Sequence, residues 1–118
     1  MASKKPTEEQ PVQSTPTVAQ REYVTNLVSR MRDKFNSIVD VVEERGLVNG
    51  YGNALSPTGG ILNQFALAER KMDRLRNQVW NRLLQGQPIN PGCFDSIKDE
   101  MAYLCFLWLM LEDEAAAS

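Results

Sequence analysis

Residues 61–84 read ILNQFALAERKMDRLRNQVWNRLL, and this stretch decides the fold class. Ile61, Phe65, Ala68, Met72, Leu75, Val79 and Leu83 recur at steps of three and four, the spacing of one apolar stripe on a helix. Glu69 and Asp73 fall on one edge of that stripe, and Lys71, Arg74 and Gln78 on the other. Such a helix can pack against others while offering carboxylates on one side and cations on the other. The apolar segment from Phe94 to Leu111 carries Asp95 and Asp99 at the same four-residue spacing. Two helices that each bring a carboxylate pair, one of them also cationic, match the needs of a magnesium-bound phosphate.

Outward from that stretch, the chain offers material for two more helices. The first is expected from about Gln20 to Arg45, with Val24, Leu27, Val28, Met31, Phe35, Ile38 and Val42 as its stripe and Gly46 as a left-handed stop. On its other faces, Glu43 lies nearest the apolar edge. The segment LVNGYGNALSPTGG, residues 47–60, is a loop with several tight turns, and Ser56-Pro57 suits a helix start. Tyr51 between two glycines can stack on a base or plug the end of a helical core. Gly86 stops the second helix, and Asn90-Pro91 opens the third, which is expected to reach about Glu112.

The main stripe of that third helix is expected to be Phe94, Ile97, Met101, Leu104, Cys105 and Trp108. From Phe106 to Leu111 it is apolar nearly all round, so three helices alone do not cover it and a second subunit is the natural cover. The expected architecture is all-α: a three-helix core over residues 21–113, assembled into an oligomeric helical bundle. Residues 1–20, rich in Pro, Thr, Gln and Glu, have little to bury and are expected to be disordered. Residues 114–118 are expected to fray, because acids at a helix C-terminus oppose the dipole.

Bulk properties narrow the function classes. A chain of 118 residues with net charge −2 holds one domain and a tail. The charge is uneven: residues 59–86 carry +3, whereas residues 93–118 carry −5. Basic residues such as Arg30, Arg32, Lys34, Arg70 and Arg76 would favour nucleic acid, but the acidic third helix repels its backbone, so that partner is not expected. There is no histidine, which removes Ser-His-Asp and Cys-His catalysis and imidazole-bound zinc or haem. Cys93 and Cys105 lie twelve residues apart on one expected helix, about 18 Å and beyond disulfide reach. Free thiols fit a reduced, cytoplasmic setting. The polar N-terminus has no apolar signal-peptide core. Residues 101–111, MAYLCFLWLML, are the most apolar run, but eleven residues are too few to cross a membrane.

Three blocks, NGYGNAL, ERKMDRL and FDSIKDEMAYLCF, occur in this order and together resemble the phage and bacterial nucleotide-modification-associated domain family. The matching positions are Tyr51 and Gly52, then Lys71, Arg74 and Leu75, then Asp95, Asp99 and Tyr103. That family is allied to the all-α nucleotide pyrophosphohydrolases of the MazG and dUTPase type. The resemblance implies a phage-type protein of the host cytoplasm that binds or hydrolyses nucleoside phosphates with Mg2+. In that picture Asp95, Asp99 and Glu69 hold the metal, with Asp73 completing the acidic set. Lys71 and Arg74 hold phosphate oxygens, and Tyr51 and Tyr103 contact the nucleotide. The residues also permit another outcome, in which Asp95 and Asp99 pair with basic side chains of the second helix as structural ion pairs. The chain would then be a non-enzymatic helical interaction protein, for example a phage-encoded inhibitor of a host protein.

Overall fold

The computed structural model describes residues 15–48 and 59–117, and every regular element among them is helical. Helix α1 spans Val18–Val48, α2 spans Gly60–Leu75, α3 spans Asn81–Leu84 and α4 spans Cys93–Ala117. A π-helical turn, Arg76–Trp80, joins α2 to α3 without a break. No described helix is long and apolar enough to cross a membrane. The chain divides into two units at Lys34–Phe35. In the first unit, the opening turns of α1 leave Tyr23, Val24, Leu27 and Met31 exposed. The second unit contains the remainder of α1 together with α2, α3 and α4.

Helix α1 begins on a reciprocal cap. The Gln20 backbone N–H donates to the Thr17 hydroxyl at 3.1 Å, and the Thr17 N–H donates to the Gln20 side-chain carbonyl at 2.7 Å. Two of the helix's orphan donors are thus satisfied, which places the start a little before the expected Gln20. The expected stop at Gly46 does not occur, and α1 runs through it to Val48. A helical glycine costs about 1 kcal/mol relative to alanine, a burden that the turns on either side can carry. Among the described residues, positive φ appears instead at Gly59, Gly60 and Gly86. Gly59 has φ 91°, and a Cβ there would sit 2.7 Å from Asn63 Cβ, so the entry to α2 requires glycine.

Gly86 ends α3 as expected. Its N–H donates to the Leu83 carbonyl, and the Gln87 N–H reaches back to the Arg82 carbonyl at 2.8 Å, the paired bonds of a Schellman end. The connector then docks on the π turn, where the Asn90 N–H donates to the Gln78 carbonyl at 2.9 Å. Asn90 also accepts the Gly92 N–H on Oδ1 at 2.9 Å. That turn delivers the chain to α4 at Cys93, three residues beyond Asn90. Tyr51, Gly52 and Ser56-Pro57 lie outside the described residues, as does the expected disorder over residues 1–14.

In the second unit, Ile38 from α1 is buried with Ala102 and Phe106 from α4, and Val42, Met101 and Tyr103 pack around them. Helix α2 packs along α4. The face that α4 buries differs from the expected one. Cys93, Ser96, Glu100, Leu107 and Met110 are buried at steps of three, four and seven. Of the expected stripe, Phe94, Ile97, Leu104, Cys105 and Trp108 are exposed and only Met101 is half-buried. The expected stripe of the second helix is met in part: Ala68 is buried and Ile61, Leu75 and Val79 are half-buried, but Phe65, Met72 and Leu83 are exposed and the buried Gln64 was not expected. The cause is steric and polar together. Small side chains at Cys93, Ser96, Ala68 and Ala102 suit the close approach of helices, and the polar groups between α2 and α4 find each other only in this rotation.

Candidate functional site

Lys71 on α2 and Asp99 on α4 meet across the packed helices, with Lys71 Nζ 2.9 Å from Asp99 Oδ2. Arg45, in the last turn of α1, brings Nη1 to 3.6 Å from the other oxygen, Oδ1. One carboxylate thereby ties three helices. Asp99 and Lys71 are 24% and 19% exposed in their side chains, so water screens this pair only in part, whereas Arg45 is 53% exposed. Asp99 lies here because it follows the buried Ser96 by three residues, and Lys71 because it follows the buried Ala68 by three.

The next residue, Glu100, is buried, and its Oε1 has no hydrogen-bond partner. Burial pushes the Glu100 carboxyl above its ordinary pKa of 4.5, and the positive charge of Lys71 opposes this in part. A third polar contact holds the same seam. Gln64, only 2% exposed, donates from Nε2 to the Tyr103 backbone carbonyl at 3.0 Å. The Tyr103 side chain is half-buried and packs on the Ile38–Ala102–Phe106 cluster.

Of the residues the sequence singled out, the fold thus brings together Lys71 and Asp99. Glu69, Asp73, Arg74 and Asp95 are exposed, and so is Glu43. Both Asp99 oxygens face cations, and among the described residues no three acidic or thiol side chains form a group that could hold a metal. A magnesium ion at Asp99 would have to compete with Lys71 and Arg45 for the carboxylate oxygens. An open groove of about 420 Å³ lies elsewhere, bordered by Gly59, Gly60, Met110 and Asp113, away from Lys71 and Asp99. Chemically, the Lys71–Asp99–Arg45 cluster is a clamp: its carboxylate is engaged twice and offers little as a base or nucleophile.

Arg45, Glu100 and Gln64 were not anticipated. Glu100 and Gln64 could have been found from the small residues of α4: Cys93 and Ser96 mark a face for close packing, and Glu100 continues it at the next turn. Gln64 answers to that face, and Arg45 to the general preference for cations in a last helical turn. Comparison with protein-family models, with characterised proteins and with solved structures finds no match.

Proposed function

We propose that this chain is a non-enzymatic helical interaction protein that works by docking exposed apolar helix faces on other helices. One observation carries the reading. Phe94, Ile97, Leu104, Trp108 and Leu111 are all exposed along one side of α4, with Trp108 at 66% and Phe94 at 59%. Single apolar residues at a surface need no explanation, but a continuous apolar line on one helix is the mark of a docking surface. The polar cluster supports the same view, because its charges are spent on each other. A nucleotide-handling role would draw on the three-block resemblance and on the two cations that Lys71 and Arg45 bring to Asp99. A phosphate arriving there must displace the carboxylate from both.

Thermal melts with a panel of nucleoside mono-, di- and triphosphates, with and without Mg2+, test the reading. The expected result is an unchanged melting temperature throughout. A magnesium-dependent rise of several degrees with any nucleotide overturns the interaction-protein reading in favour of the nucleotide one.

A further inference from the structure

The exposed line on α4 has an internal order that says what covers it. Phe94, Ile97, Met101, Leu104, Trp108 and Leu111 follow one another at steps of three, four, three, four and three. This is heptad spacing, kept over 18 residues of a 25-residue helix and of the kind that pairs two helices. Met101 is half-buried within the line, and the other five are exposed. The uncovered parts of those five side chains come to on the order of 500 Å² per copy, or about 1,000 Å² for a pair, where specific interfaces begin. Trp108 is ready for burial: its indole N–H already donates to Glu112 Oε2 at 3.1 Å within α4, so covering the ring strands no donor.

Charge selects both the partner and its direction. Lys98 and Glu112 flank the seam on the same edge, fourteen residues apart, and Asp113 and Glu114 extend the acidic end. A parallel pairing gathers the three acids of both copies, Glu112, Asp113 and Glu114, at one end of the pair. An antiparallel pairing separates the two acidic ends and opposes the two helix dipoles. It sets each acidic end toward Lys98 and the N-terminal turn of the other helix, where Asp95 offsets part of the positive dipole end. In full antiparallel overlap Phe94 faces Leu111 of the second copy, Ile97 faces Trp108 and Met101 faces Leu104, so every layer pairs two apolar side chains. The face is its own complement under a two-fold rotation, as an isologous dimer requires.

Resting on the interaction-protein reading, we propose that α4 pairs antiparallel with α4 of a second copy of this chain. Sedimentation equilibrium at tens of micromolar should return twice the 13.3 kDa chain mass. Trp108→Glu should return a monomer with its helical circular dichroism intact, while Leu62→Glu, at an 84% exposed site on α2, should leave the dimer unchanged. Zero-length carbodiimide coupling of the parent chain should join Lys98 to Glu112. Within one straight helix these lie about 21 Å apart, so the link forms only between antiparallel copies. This cross-link decides the matter even where Trp108→Glu fails to fold. A monomeric parent chain, a dimer that survives Trp108→Glu, or a dimer without the Lys98–Glu112 link each overturns the pairing. Any of these leaves the broader interaction reading to the nucleotide melts, whose outcome does not depend on self-association.

Discussion

Asp99→Asn tests the polar cluster directly, because an ion-pair clamp and an acidic ligand site respond to it with opposite signs. In the clamp, Asp99 lies 2.9 Å from the Lys71 ammonium and 3.6 Å from the Arg45 guanidinium, and the amide removes the charge while keeping the shape. Exposed pairs are worth about 0.2–1 kcal/mol, and stripping one partner from a fully buried pair costs about 3–5. Asp99 and Lys71 are about one-quarter and one-fifth exposed, so the loss falls between these limits, nearer the lower because water still reaches both groups. An estimate of about 1.5 kcal/mol follows, and for a domain of this size it lowers the melting temperature by roughly 6–12 °C. The assay is urea unfolding followed by circular dichroism at pH 7, low salt and one fixed protein concentration, since assembly also affects the midpoint. A cycle with Lys71→Met should return a coupling energy that accounts for most of the loss, and Arg45→Gln should cost clearly less. An Asp99→Asn protein as stable as its parent, or more so, with no coupling to Lys71, refutes the clamp. It would mean that the carboxylate is strained in the free protein, as a ligand site awaiting a cation requires.

Two further substitutions probe the surroundings of that cluster. Glu100→Gln should stabilise the protein at pH 7, by about 1 kcal/mol, by removing a charge from a buried site with an unpartnered oxygen. The sign follows from the raised pKa: the folded state holds this proton more tightly than the unfolded chain, so the contribution of Glu100 to stability falls as pH rises above about 4.5. The gain from Glu100→Gln should therefore shrink toward zero below that pH, and urea midpoints measured from pH 4 to 8 check it. Gly59→Ala should cost about 1–2 kcal/mol from the left-handed backbone alone, with more from the 2.7 Å approach to Asn63, read as a fall in the urea midpoint.

Element identity was legible because apolar residues at three- and four-residue steps admit only helices here, and Gly86 and Asn90 punctuate them by local chemistry. On α1 the expected Ile38 and Val42 do face the core, but the inward face of α4 was not legible, and particular residues explain why. On α4, hydrophobicity points to Phe94, Ile97, Leu104 and Trp108, the largest side chains, whereas the buried line runs through Cys93, Ser96 and Glu100. The buried side is small only in the first turns of α4 and carries Phe106, Leu107 and Met110 further on, so the helix is apolar on two sides and offers two ways to pack. The side buried here brings α2 close enough for Lys71 to reach Asp99 and Gln64 to reach the Tyr103 carbonyl. The π turn at Arg76–Trp80 was equally hidden, because it adds no breaker residue and its effect appears only when Asn90 bonds the Gln78 carbonyl. The candidate site suffers from the same ambiguity. Spacing placed Asp95 and Asp99 on one face, but a four-residue step turns a helix by slightly more than a full revolution, and a small rotation decides which of two neighbours is buried. Asp99 falls inside that boundary and Asp95 outside it. A helix patterned on both sides thus reads as one amphipathic stripe until its packing partner is known, and the stripe that hydrophobicity identifies first is here the exposed one.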